Sequence, residues 1–272
     1  EVDQMEDSIA PYVLEETGAN VRWLTLNRPE QRNPLSLGMI AAIRAALERA
    51  DQDPEVRAIV LTASGPVFSA GHDLKEMGVS ADDSLELRQS RVREVLEACA
   101  QMMLSIVHSP KAIIASVQGT ATAAGCQLVS ACDLAIAADG VRFCTPGVNI
   151  GAFCTTPLVG IGRNLSRKHA MEMALTGDMF STEDAIRFGL INRAVPADDL
   201  RKVTAELAER IAAKSAQGIR SGKEAFYRQV DMPLEDAFRF ANEEMLAAMT
   251  APDAQEGTRA FFEKRDPVWG KA

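Results

Sequence analysis

The chain has 272 residues, 47% of them hydrophobic and 25% charged, which fits an ordinary globular protein with one large domain or a main domain and an appendage. Its formal charge of −9 argues against a nucleic-acid partner and requires any anionic ligand to be held by local cations. No stretch approaches the roughly 20 apolar residues that span a bilayer, the opening EVDQMEDSIA is acidic where targeting peptides are basic, and five cysteines without CxxC spacing read as reduced thiols of a cytosol-like compartment.

Strands are expected at 11–16 and 21–27, followed by a loop at 28–34 punctuated by two prolines. Ser36 caps a helix running to about Ala50, with Ile40, Ile43 and Leu47 at helical spacing. RAIVLT at 57–62 reads as a buried strand, and a loop at 63–78 follows it. A long helix fills 84–108, a strand 112–117, and a small-residue stretch at 119–126 leads into another helix. Short strands at 134–138 and 141–143 flank an Asp-Gly turn. The rest is helical apart from 191–194. This alternation predicts an α/β fold of βαβ units with a mainly parallel sheet. The domain reading is a core over residues 1–196 and a helical region over 197–272.

Two strand-to-helix junctions carry glycine among small residues: FSAGHDLKEM at 68–77 and VQGTATAAGCQL at 117–128. A helix N-terminus presents free N–H groups and partial positive charge, so two such ends converging would hold an oxyanion, although such turns also serve packing. The three histidines are scattered, which gives no metal site.

FSAGHDLKEM, IIASVQGTATAAGCQLVSACDLAIAADGVRF and the ending AFFEKRDPVW together resemble the enoyl-CoA hydratase/isomerase (crotonase) family, from about Val13 to Trp269. The resemblance implies a crotonase-like spiral of ββα units, a C-terminal helical region that trimerises, often into a dimer of trimers, and an acyl-CoA thioester as ligand. It implies no cofactor beyond the coenzyme A moiety of the substrate. The family's oxyanion hole falls on the backbone N–H groups of His72 and Ala124. The His72 side chain reads either as an acid or base or as a shaper of the acyl pocket. Coenzyme A carries several phosphate charges, so Lys75, with Ala70 in the same loop, and secondarily Arg32 are candidates to meet it. Lys264, beside Phe261, matches the position from which the family's C-terminal helix meets the nucleotide end across a subunit boundary. Each lysine reads otherwise as a solvated surface charge, and Arg32 more readily so.

The two glutamates with which hydratases of the family handle protons fall on Gln127 and Gly147. An amide cannot titrate, and glycine has no side chain. A naphthoate synthase branch has glycine at the Gly147 position with bicarbonate in place of the carboxylate, plus an aspartate seven residues on, where this chain has Cys154. Cys154 reads as a nucleophile or proton carrier whose pKa a helix beginning at 155–157 could lower, or as a small buried hydrophobe. Thr145 and Asn149 could hold a water or anion. Three readings follow: an acyl-CoA isomerase or lyase using the hole without the glutamate pair, a catalytically silent acyl-CoA-binding regulatory protein, and a hydratase with a noncanonical acid or base from the 80–86 loop. The expected location is cytoplasmic, or the mitochondrial matrix if the source is eukaryotic.

Overall fold

A strand hairpin opens the fold in the computed structural model, which describes residues 10–78 and 83–270. β1 (Val13–Gly18) and β2 (Val21–Leu26) pair antiparallel through Ala19 and Asn20, both at positive φ, as a two-residue hairpin turn requires. A short 3-10 turn (Pro29–Gln31) leads to α1 (Leu37–Gln52). The Ser36 hydroxyl accepts the Met39 N–H at 3.1 Å as the expected cap, and Met39, Ile40, Ile43, Ala46 and Leu47 form the buried stripe of α1.

The chain then repeats one unit three times: a long strand, a very short strand, and helix. The units are β3 (Ala58–Ala63), β4 (Val67–Ser69), α2 (Leu74–Met77) and α3 (Leu85–His108); then β5 (Ala112–Val117), β6 (Thr120–Thr122) and α4 (Ala124–Ala131); then β7 (Leu134–Ala138), β8 (Phe143–Cys144), a 3-10 helix (Pro146–Ile150) and α5 (Pro157–Asn164). α6 (Arg167–Thr176), α7 (Thr182–Phe188) and β9 (Arg193–Val195) follow. Long strands build a six-stranded sheet in the order β1-β2-β3-β5-β7-β9, parallel after the hairpin, while short strands build a second parallel sheet, β4-β6-β8. β5 is buried at all six positions, the unbroken apolar run of a strand covered on both faces.

The large sheet matches the sequence reading, with shifts of one or two residues at β1 and β9. The small sheet does not: β4 and β6 lie in stretches read as loops, and β8 begins where the strand expected at 141–143 was to end. Residues 80–82 of the loop considered as an acid or base source lie outside the described residues.

Beyond β9 come α8 (Leu200–Ala212), α9 (Ala216–Gln229), α10 (Leu234–Thr250) and α11 (Pro252–Glu263). α8 packs on the large sheet, burying Leu200, Leu207 and Ala208 in the core, and its Thr204 hydroxyl lies 3.2 Å from that of Ser116. α9, α10 and α11 instead bury only Ala237 and Ala260. α9 is tied to the core by charge. Lys223 Nζ donates to Asp133 Oδ2 at 2.8 Å and to the Ile106 and Lys111 carbonyls, and the Tyr227 hydroxyl donates to Asp133 Oδ1.

Candidate functional site

The small sheet brings three turns to one edge. β4, β6 and β8 run parallel and adjacent, so their C-terminal ends deliver residues 70–72, 123–124 and 145–147 side by side, where parallel sheets present ligand sites. The first two turns interlock. The Thr122 hydroxyl donates to the Ala70 carbonyl at 3.0 Å, and a β-carbon on Gly71 would stand 2.9 Å from the Ala123 β-carbon and 3.2 Å from Ala124 N. Only glycine fits there, and its φ of +89° also suits glycine alone. Gly125 is held as tightly, because a β-carbon on it would lie 2.5 Å from the Ser69 carbonyl oxygen.

Within this contact two N–H groups remain free. Gly71 O accepts from Leu35 N at 2.7 Å, and Asp73 N donates to Leu35 O at 3.4 Å, so the groups on either side of His72 N are engaged. Ala123 N donates to Cys144 O at 2.9 Å and Gln127 N donates to Ala123 O, while Ala124 begins α4. Neither His72 N nor Ala124 N has an acceptor among the described residues.

Ala123 adopts φ +50°, ψ −119°, a conformation natural to glycine that costs other residues about 1–3 kcal/mol. The Ala123→Gly variant is expected to be more stable by about 1 kcal/mol, after the entropy penalty of glycine is deducted, with thioester binding unchanged. Chemical denaturation checks this; lower stability would show that the Ala123 β-carbon contributes more packing than strain.

Three of the buried polar atoms without hydrogen-bond partners among the described residues lie in or just beyond the converging segments: His72 Nε2, Gln127 Oε1 and Thr145 Oγ1. The first and last belong to the segments themselves, and Gln127 to the helix that follows the second. Burial lowers the His72 pKa below its ordinary value, which favours the neutral imidazole. Gln127 lies one turn into α4, three residues after Ala124, and is 7% exposed. Asn149 is directed elsewhere, its Nδ2 lying 3.5 Å from the Gly177 carbonyl.

Gly147 is enclosed by its own loop. A β-carbon there would meet Cys154 N at 2.9 Å, Cys154 Sγ at 3.1 Å and Phe153 C at 3.1 Å. The Gly147 N–H donates to Cys154 Sγ at 3.3 Å. The thiol is buried, and burial pushes its pKa up against the lowering effect of that N–H. The expectation of a thiolate favoured by a helix N-terminus is therefore corrected. α5 begins three residues later, at Pro157, and what it engages of Cys154 is the carbonyl, which accepts from Leu158 N at 3.1 Å.

The residues expected to bind coenzyme A divide into two groups. Arg32, Ala70 and Lys75 lie around the first turn: Ala70 N donates to Arg32 O at 2.9 Å, and both Arg32 and Lys75 are exposed. Phe261, 78% exposed, sits on α11, and Lys264 follows that helix; α11 packs against α9 and α10. Sequence reasoning missed Ser69, whose buried hydroxyl accepts the Gly71 N–H at 3.2 Å, and Asn33, a buried side chain with three hydrogen bonds. The sequence signal for Asn33 was an Asn-Pro pair before a helix cap, which reads only as loop.

The enoyl-CoA hydratase/isomerase family model matches residues 16–272. The chain belongs to the enoyl-CoA hydratase/isomerase family. Membership gives it an acyl-CoA-related function. It is 41% identical over 259 residues to the mitochondrial enoyl-CoA hydratase domain-containing protein 3 of Xenopus laevis, covering 95% of this chain and 86% of that protein. The human protein of the same name is 39% identical over 249 residues, covering 92% and 80%. Among solved structures, an enoyl-CoA hydratase of Mycobacterium smegmatis superposes with a TM-score of 0.89 at 43% identity, covering 95% of this chain and 99% of that one. Human enoyl-CoA hydratase domain-containing protein 3 superposes at 0.90 with 38% identity, covering 95% and 100%. The crotonase-like α/β fold with C-terminal helices expected from the motifs is therefore the fold of this family member.

Proposed function

We propose that this protein binds an acyl-CoA thioester with its carbonyl oxygen between His72 N and Ala124 N, and that it stabilises the enolate formed there as an isomerase or lyase without the glutamate pair. The observation that carries the reading is the pair of N–H groups lacking acceptors at neighbouring strand ends. Such donors act without reorganising, and each is typically worth about 10²–10³ in rate.

Proton handling is the weak half of the site. Gln127 offers an amide, Gly147 offers no side chain, and the loss of general acid–base catalysis typically costs about 10²–10⁴-fold. Decarboxylation, which reaches the enolate by losing CO2 without a base, therefore suits the site better than hydration. Isomerisation needs only one proton carrier, and thioester hydrolysis would use the same hole for a tetrahedral oxyanion. No cofactor beyond the coenzyme A of the substrate belongs to this reading. Arg32, Ala70 and Lys75 would meet the pantetheine and phosphate portion, and Phe261 and Lys264 would come from a neighbouring copy. A homotrimer or dimer of trimers would cover the exposed Phe226, Phe238, Leu246, Phe261 and Phe262 of α9–α11. Relatives named mitochondrial support a mitochondrial location if the source is eukaryotic, read here as the matrix; for a bacterial source the reading is cytoplasmic.

One observation favours a second reading, a catalytically silent acyl-CoA-binding protein: Cys154 packs where a second acid would project from position 147. A panel of enoyl, β-keto and malonyl-type CoA thioesters separates the two. Conversion of at least one, with crotonyl-CoA hydration near background, is the expected result. Binding without turnover across the panel assigns the silent role. Robust hydration that survives both Gln127→Ala and Cys154→Ala would contradict the argument from the missing pair.

A further inference from the structure

We infer that Asn33 is the positioning residue for the His72 donor, acting through the backbone without touching substrate. The inference rests on the oxyanion-hole reading given above. Asn33 is fully buried and holds φ +50°, a left-handed conformation that asparagine tolerates better than most residues. Its Oδ1 accepts the Arg28 N–H at 2.8 Å, and its own N donates to Arg28 O at 2.9 Å, closing the 28–33 turn on itself. Its Nδ2 donates to the carbonyls of Ser64 at 2.9 Å and Val67 at 2.8 Å. One side chain thus clamps the turn after β2 to the connection between β3 and β4.

The clamped segment is the one that holds the first loop of the site. Ala70 N donates to Arg32 O, Leu35 N to Gly71 O, and Asp73 N to Leu35 O, so residues 32–35 lie beside residues 70–73 with Leu35 and His72 paired as in a parallel ladder. In that pattern a residue bonds to the two neighbours of the one opposite it, and the opposite residue turns its own N–H away. The ladder therefore aims His72 N away from residues 32–35 and leaves it without an acceptor. Asparagine suits position 33 because it combines one acceptor with two donors. Aspartate would keep the bond from Arg28 N but set a carboxylate against two buried carbonyl oxygens.

The test uses the full chain and a dienoyl-CoA, whose absorption moves to the red when its carbonyl is polarised. Asn33→Asp and the smaller Asn33→Ser are compared with Leu207→Ala, a core change on α8. We expect either Asn33 variant to lose at least about half of the red shift and to bind the thioester about tenfold more weakly, with free coenzyme A, which meets Arg32 and Ala70 but not the donors, losing severalfold less than the thioester. Leu207→Ala should lose stability while keeping the full shift. A full shift in a folded Asn33 variant would overturn the inference. So would an equal loss in Leu207→Ala, which would make the effect one of stability. Absence of any shift in the unmodified chain would instead overturn the oxyanion-hole reading, and the inference with it.

Discussion

Gly71→Ala is expected to reduce turnover of whichever acyl-CoA this protein converts by about 10²–10³-fold, the loss typical of one oxyanion-hole donor. The new β-carbon would meet the Ala123 β-carbon at 2.9 Å, the Thr122 carbonyl oxygen at 3.0 Å and Ala124 N at 3.2 Å. Two of these are backbone atoms of the opposing turn, so no rotamer change relieves the contact. Position 71 also needs a φ of +89°, which costs alanine about 1–3 kcal/mol in its own right. The turns must therefore separate, carrying His72 N away from Ala124 N. Free coenzyme A should lose less affinity than the thioester, because it meets Ala70 and its neighbours in the first turn and not the His72 N–Ala124 N pair. Steady-state kinetics on a folded sample decides the matter. Unchanged kcat/KM would mean that the carbonyl is not held between these turns.

A second large effect concerns the missing acids. From sequence alone, Gln127→Glu with Gly147→Glu is the natural way to install hydration. The structure predicts that the double variant gains no crotonyl-CoA hydration beyond that of Gln127→Glu alone, and that it loses stability. A side chain at 147 collides first with Cys154 N and then with Phe153 C, which are backbone atoms, as well as with Cys154 Sγ. Adding Cys154→Ala removes only the last contact. Overpacking of this kind costs about 1–3 kcal/mol. For a chain of this size that lowers the melting temperature by roughly 2–5 °C. A thermal melt beside a hydration assay reads both quantities. Strong hydration at an unchanged melting temperature would show that the 145–154 loop opens freely.

Much of the fold was legible in particular residues. RAIVLT and AIIASV are mostly apolar runs because β3 and β5 are covered on both faces, and Ser36 announced α1 through its cap. The small sheet was not legible, since β4, β6 and β8 have two or three residues each, too few to show a period of two. α8 read as part of a separate helical region because nothing local distinguishes its Leu200 and Leu207 from the exposed apolar positions of α9 and α10.

The site divided in the same way. Its glycines and small residues could be read directly, because motif and spacing are local, whereas Gln127 and Gly147 drew notice only through the family resemblance. Asn33 could not, since its partners Ser64 and Val67 lie 31 and 34 residues away. Nor could the role of Cys154. Its type allowed either a reactive thiol or a small buried hydrophobe, and only its place against Gly147, where burial raises its pKa, separates the two.

The central claim is that backbone at His72 and Ala124 polarises a thioester carbonyl, and the position of that oxygen in a crystal with bound acyl-CoA tests it most directly. The account predicts the oxygen about 2.7–3.1 Å from both His72 N and Ala124 N. An oxygen beyond hydrogen-bond reach of both, with the acyl chain ordered, would contradict it.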